Sequence, residues 1–195
     1  MESMLTPNNY FHIYNQGNNK QKIFFEEENY IFFLKKVRRY IAPYADILAY
    51  CLMPNHFHFL LRTNENSCRL VKIGSLEIPA LSNGFRNLES SYAQAINKKF
   101  KRTGSLFRQK TKFKFIKDDY NALFCLHYIH QNPLRAGLVN KMEQWQYSSF
   151  VDYCELRNGT LSKRELAYEL LPINKHTFYL DSYKEIAVNI EKFLL

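Results

Sequence analysis

The chain has 195 residues, 46% of them hydrophobic, with a formal net charge of +9 and a pI of about 9.3. This length and hydrophobic content predict one folded domain with an appendage and exclude a disordered chain. No stretch approaches the roughly 18 apolar residues of a membrane span, and residues 1–9 lack the basic flank and apolar core of a signal peptide. We therefore expect a cytoplasmic protein with no membrane partner, whose positive charge points to a nucleic acid.

Hydrophobic spacing predicts a strand, a helix and two strands in the first half of the chain, at residues 11–14, 26–44, 47–53 and 56–62. The second half continues with a helix, a strand and a helix that should end before Pro133, at residues 78–100, 112–116 and 119–131. The order β-α-β-β-α-β predicts an α+β fold of the ferredoxin-like (split βαβ) type, an antiparallel sheet with helices on one face. We assign residues 1–150 to this domain and residues 151–195 to a small C-terminal helical extension, with helices over 161–171 and 182–195.

A histidine pair lies in the third predicted strand, at His56 and His58. Because side chains alternate along a strand, both imidazoles point to one face while Phe57, Phe59 and Leu61 point to the other. Two neighbouring imidazoles can share one metal ion, and neutral imidazole is the commonest metal-ligating side chain. Taken alone, the pattern favours two solvent-facing histidines, because a metal site also needs a third ligand.

The helix predicted over residues 119–131 can supply that ligand, since Tyr128 and Asn132 project together one turn apart. The amide oxygen of Asn132 is a suitable metal ligand. A tyrosine hydroxyl, with an ordinary pKa of about 10, is a poor nucleophile at neutral pH unless a cation polarises its target. Helical spacing alone also fits a tyrosine that only packs in the core, because the chain has 14 tyrosines.

Residues 90–117 contain no acidic residue and combine cations with phenylalanines. Cations for phosphates beside rings for stacking suit single-stranded nucleic acid. We assign the cations to DNA binding and expect the phenylalanines to point into the core. The candidate DNA-binding residues are Lys98, Lys99, Lys101, Arg102, Arg108, Lys110, Lys112 and Lys114.

Two longer strings carry a resemblance to a known family: LMPNHFH at residues 52–58 and YIHQNPLRAGLV at residues 128–139. Together with FHIYN at 11–15 and WQYSS at 145–149, they resemble the single-tyrosine transposases of the HUH (His-hydrophobic-His) nuclease superfamily. The nearest branch is that of the repeat-associated tyrosine transposases. The resemblance spans residues 10–150 with its motifs in the family's order, and the combination is far more specific than any one motif.

The resemblance implies a metal-dependent endonuclease and strand transferase that acts on single-stranded, hairpin-bearing DNA through a 5′-phosphotyrosine intermediate. His56 and His58 match the family's paired ligands for Mg²⁺ or Mn²⁺. Tyr128 matches its nucleophile, and Asn132 falls where the family has a third ligand. The basic stretch is then the candidate hairpin-binding surface.

Other functions stay open on the sequence. One is a nucleic-acid-binding module without chemistry, since ferredoxin-like sheets also present RNA-binding faces. That module would not explain a histidine pair facing Tyr128. Replication initiators and conjugative relaxases usually have larger chains and longer histidine clusters, and neither is visible here. A degenerate, domesticated transposase also stays open, although all the key residues are present.

The assembly of the protein is a separate question, because short relatives form dimers that share their sites. An exposed sheet edge favours pairing with a second copy. The apolar residues of the C-terminal extension could cover such an edge. We therefore expect a monomer with its site formed in cis, rather than a homodimer.

Overall fold

The computed structural model describes residues 5–184. Its strands are β1 (Tyr10–Gln16), β2 (Ala45–Met53), β3 (His56–Thr63), β4 (Leu70–Ile73), β5 (Leu76–Pro79) and β6 (Lys112–Ile116). Its α-helices are α1 (Glu27–Tyr40), α2 (Glu65–Cys68), α3 (Ala80–Lys99), α4 (Asp119–Arg135), α5 (Phe150–Tyr153), α6 (Arg164–Leu170) and α7 (Phe178–Ser182). Short 3₁₀ turns lie at Asn18–Lys20 and Met142–Gln144. None of these helices is both long and apolar enough to cross a membrane.

The main sheet has four strands in the order β2-β3-β1-β6, and every neighbouring pair is antiparallel. Helix α1 connects β1 to β2, and α3 connects β3 to β6, so each βαβ unit is split by a strand of the other. The α+β class with an antiparallel sheet is confirmed, and the predicted elements occur in the predicted order, with α2, β4 and β5 added between β3 and α3.

One face of the sheet packs on α1 and α3 through an apolar core. Its side chains include Phe11, Phe57, Phe59 and Phe85, all at most 1% exposed. The two helices approach closely at Gly84, where an added Cβ would lie 2.3 Å from the carbonyl oxygen of Tyr40. The pleat of the strands therefore commits one side of each strand to an ordinary hydrophobic core.

Helix α4 covers the opposite face, so the prediction of helices on one face only is wrong. Its Cys125, Tyr128 and Ile129 share a second core with Leu60 of β3. The far side of α4 is buried as well, because Phe178 of α7 stacks on His127. Every side chain from Cys125 to Gln131 is buried, so this part of α4 has no exposed stripe from which its position could be predicted.

Helix α4 also continues through Pro133 to Arg135, so the prediction that it ends before the proline is wrong. A proline removes one helical hydrogen bond. Burial of α4 on both sides, however, favours continuation of the helix. The helix ends at Arg135, and Gly137 follows with a φ of +66°, which allows the amides of Gly137 and Leu138 to bond back to the carbonyls of Leu134 and Pro133.

Other boundaries differ less. Helix α1 ends at Tyr40 instead of residue 44, because Pro43 disfavours helix just before it. Ahead of α3, residues predicted as its first turn form part of the hairpin β4-β5, which turns at Gly74 with φ +59°. This hairpin was not predicted.

The C-terminal part of the chain lies along the outer edge of β2. The amide of Ser149 donates to the carbonyl of Tyr50, and that of Lys163 to the carbonyl of Ile47, at 3.0 and 2.7 Å. Helix α6 corresponds to the helix predicted over 161–171, whereas the one predicted over 182–195 lies almost entirely outside the described residues. A division of the chain at residue 150 stays a prediction, and side chains from both parts share the second core.

Candidate active site

His56 and His58 lie on the sheet face that α4 covers, as the strand alternation predicts. His58 pairs with Tyr14 of β1 on one side and with Cys51 of β2 on the other. The histidine rings of the pair lie 4.9 Å apart between centroids. His58 is buried and His56 half-buried, so the pair opens toward solvent only at the His56 end.

A third histidine, His12, joins this pair from β1. Its Nε2 lies 2.9 Å from Nδ1 of His58, and both rings are buried. Sequence reasoning missed His12. Alternation put it on one face of the first strand, but only the pairing of β1 with β3 decides which histidine it meets.

The two predicted ligands have the protonation state that metal binding requires. Burial lowers the pKa of His56 to about 4. Burial also lowers the pKa of His58 well below its usual value, helped by neighbouring His12 and His56. Nε2 of His58 is buried and has no hydrogen-bond partner among the described residues. A buried nitrogen without a partner is costly unless something binds it, and a neutral imidazole nitrogen suits a divalent metal ion.

Tyr128 lies directly over this group. Its ring meets those of His12 and His58 edge-to-face, each at 5.9 Å between centroids, and the residue is 6% exposed. The structure therefore brings together Tyr128 and His58, which are 70 positions apart in the sequence. Helix α4 places them in contact because its Tyr128 side faces the sheet.

Asn132 lies one turn beyond Tyr128, and its Nδ2 donates to the carbonyl of Tyr128 at 2.8 Å. This bond uses the amide nitrogen and not the oxygen that would bind a metal ion. Between residues 5 and 184, no group of three or more His, Cys, Asp or Glu side chains is arranged to hold a metal. A third ligand from Asn132 therefore stays a prediction.

The eight predicted DNA-binding cations fall into two groups. In the pairing of β6 with β1, Lys112 lies opposite Tyr14 and Lys114 lies opposite His12. Both lysines therefore share the sheet face of the histidines. Arg108 and Lys110 lie in the loop that leads to β6, and the amide of Arg108 donates to Gln16, the partner of His56. The other four lie near the end of α3: Lys98, Lys99, Lys101 and Arg102.

Two cations of this second group are already engaged. Lys99 forms an ion pair with Glu26, and Arg102 bonds to the side chain of Gln21. The phenylalanines also divide. Phe107 is buried as expected, but Phe115 on the outer strand is 40% exposed. The prediction that all of them point into the core is therefore wrong for Phe115, because β6 is a sheet edge.

Helix α4 carries two histidines, His127 and His130, and both contact serine hydroxyls in later parts of the chain. Nδ1 of His127 lies 3.0 Å from the hydroxyl of Ser182, and Nε2 of His130 lies 2.8 Å from that of Ser149. Burial lowers the pKa of His127 to about 4. His130 belongs to the motif that carries the sequence resemblance, yet its side chain contacts Ser149 and not the histidines of the sheet.

A histidine pair on a central strand, covered by a helix that presents a tyrosine, is the arrangement expected of the single-tyrosine HUH class. Comparison with known proteins leads to the same group. A Haemophilus influenzae protein described as a REP-associated tyrosine transposase is 28% identical over 108 residues, which is 54% of this chain and 58% of that protein. The match thus spans little more than half of that relative's length.

A solved structure of a REP-associated tyrosine transposase bound to a REP hairpin has a TM-score of 0.59 to this chain. It is 16% identical, and the superposition covers 80% of this chain and 84% of that one. No family model matches the sequence. The chain is thus similar in sequence to a REP-associated tyrosine transposase of the HUH type, and it shares the fold of a solved one.

Proposed function

We propose that this protein is a metal-dependent, single-tyrosine endonuclease and strand transferase that acts on single-stranded DNA beside a hairpin. The observation that carries the proposal is the contact of Tyr128 with His58, whose buried Nε2 has no hydrogen-bond partner in the described part of the chain. Burial of an unpartnered ligand atom beside a potential nucleophile is difficult to explain by packing alone. Homology to transposases of the same class supports the assignment.

His56 and His58 would hold the metal ion, Mg²⁺ or Mn²⁺, with Asn132 as the proposed third ligand. Their imidazoles are neutral near pH 7, which suits ligation. When bound, the ion supplies charge that polarises the scissile phosphate. None of the three proposed ligands is a carboxylate. The site therefore carries less negative charge than one built from Asp or Glu, and it repels an approaching phosphate less.

Tyr128 would carry the covalent step. Its hydroxyl oxygen attacks the phosphorus, forms the 5′-phosphotyrosine bond, and displaces the 3′ oxygen of the preceding nucleotide. The phenolic proton leaves the tyrosine, and the departing 3′ oxygen becomes a hydroxyl. The number of phosphate ester bonds is unchanged, so a 3′-hydroxyl of another strand can reverse the step and join without ATP.

The DNA would reach the site along β6. Lys112 and Lys114 share the face of the histidines, and Arg108 and Lys110 extend this basic strip toward the end of β1. The REP hairpin in the homologous complex supports a hairpin as the structured part of the substrate. Lys98 and Lys101 are candidates for more distant contacts, because they lie at the far end of the loop.

The site would form within one chain. Tyr128 and His58 of the same chain are in contact, and residues after Phe150 lie against the outer edge of β2. Both observations support a monomer, since no second copy is needed to complete the site or to cover that edge.

A covalent adduct tests the proposal directly. The protein is incubated with Mn²⁺ and labelled single-stranded oligonucleotides that carry a hairpin from its own genomic flanks, then run on a denaturing gel. Wild type and Tyr120→Phe should form a protein–DNA adduct, and Tyr128→Phe should not. Tyr120 is a matched control, because it lies on the same helix and is 69% exposed. Binding of the hairpins with no adduct in any variant would instead indicate a binding module without chemistry.

A further inference from the structure

His12 stands behind one of the two proposed metal ligands and touches no solvent. The ring is completely buried and lies nearly parallel to that of His58, with centroids 5.0 Å apart and planes 20° apart. The bond between them joins Nε2 of His12 to Nδ1 of His58 at 2.9 Å. His12 therefore contacts one ring nitrogen of His58, Nδ1, and not the other, the unpartnered Nε2.

Two neutral tautomer arrangements can form this bond. If His12 donates, the proton of His58 must sit on Nε2, where residues 5–184 offer no acceptor. If His58 donates from Nδ1, its Nε2 carries a lone pair and no proton. The first arrangement buries an N–H group without a partner, whereas the second presents a nitrogen that can bind a metal ion.

We propose that His12 is a positioning residue that holds His58 as its Nδ1–H tautomer and thereby presents Nε2 to a divalent metal ion. The metal's part in this rests on the proposed function, whereas the tautomer does not depend on it. His12 also meets the ring of Tyr128 edge-to-face, so one buried side chain orients the ligand and packs against the nucleophile-bearing residue. Partners that bind the second nitrogen of a ligating histidine fix its tautomer and orientation in this way.

The tautomer is measured on the metal-free protein by NMR of ¹⁵N-labelled histidine. Wild-type His58 should carry its proton on Nδ1. In His12→Leu, which keeps the volume but loses the acceptor, the proton should move to Nε2. His12→Gln can place an amide oxygen near the lost nitrogen and should restore the Nδ1–H form. A wild-type His58 protonated on Nε2 would overturn the proposal, even if His12→Leu fails to fold.

Binding of Mn²⁺ is measured by calorimetry without DNA. His12→Leu should bind Mn²⁺ about 10- to 100-fold more weakly than wild type, and His12→Gln close to wild type. Equal affinities in His12→Leu and wild type, or equal losses in His12→Leu and His12→Gln, would reduce His12 to a packing residue. Because neither measurement uses DNA, a protein that passes both tests but forms no adduct would refute the proposed function alone.

Discussion

The two faces of the main sheet have different compositions although the same strands supply both. Toward α1 and α3, strands β1 and β3 present Phe11, Phe57 and Phe59 in a close-packed apolar core. Toward α4 they present His12, His56 and His58. Both faces are largely buried, but the second must satisfy ring nitrogens, and within residues 5–184 Nε2 of His58 finds no partner. The apolar face is stabilised by packing alone. The polar face retains the free-energy cost of an unsatisfied ring nitrogen, which binding of a ligand would relieve.

The sharpest test of this difference compares neighbouring residues on β3. Phe57→Ala should destabilise the fold by about 3–5 kcal/mol, because it opens a cavity in the apolar core. His58→Ala should leave a folded protein whose metal-dependent cutting falls by more than the 10- to 100-fold typical of losing an outer partner. Chemical denaturation and the adduct assay measure the two effects. If His58→Ala lowers the free energy of unfolding as much as Phe57→Ala does, the two faces contribute to stability in the same way.

Acid should lower the free energy of unfolding through the buried histidine of the second core, His127, and not through the apolar first core. The folded-state pKa of His127 is about 4 and its unfolded value about 6.5, so its contribution is fully present above pH 6.5. That contribution declines as the pH falls from 6.5 toward 4, because the unfolded chain takes up the proton first. Between pH 7 and pH 5 the loss from His127 is about 2 kcal/mol.

The control for this effect is His127→Gln, which removes the titrating group and can keep a hydrogen bond to Ser182. Its free energy of unfolding should fall by about 2 kcal/mol less than that of wild type between pH 7 and pH 5. Denaturant titrations at the two pH values measure the difference. An equal fall in both proteins would mean that His127 is not held neutral by burial.

The basic residues should differ by the face on which they lie. Replacing Lys112 and Lys114 with Gln should lower the salt dependence of single-strand binding by up to about 0.7 in the log–log slope per lost contact. Replacing Lys98 and Lys101 should lower it less, because these lie at the far end of the loop. Fluorescence anisotropy over a range of salt concentrations gives both slopes. A larger change from Lys98 and Lys101 would move the DNA path to the α3 side.

The last comparison, a mixture of two inactive variants, is expected to give no cutting. Mixing inactive His56→Ala with inactive Tyr128→Phe should not recover cutting, because Tyr128 contacts His58 of its own chain. The gel assay with each variant alone and with both together measures this. Recovered cutting would show that the sheet face of one chain works with the helix of another.

The sequence by itself determined the four strands of the main sheet, the crossover helices and the division of β3 into two faces. These depend on local periodicity, and His56-Phe57-His58 needs only the alternation of a strand to separate its side chains. Its motifs also identified Tyr128 and the histidine pair as candidates before any contact was known. The bond between His12 and His58, in contrast, depends on the register of β1 against β3, which no local pattern contains.

Tertiary structure likewise decided the course of α4. A helix end before Pro133 is the local expectation, but packing on the sheet and on α7 buries both sides and carries the helix to Arg135. Only that packing brings Tyr128 over His58, because contacts between residues distant in sequence arise from the free energy of the whole fold and not from the preference of any one segment.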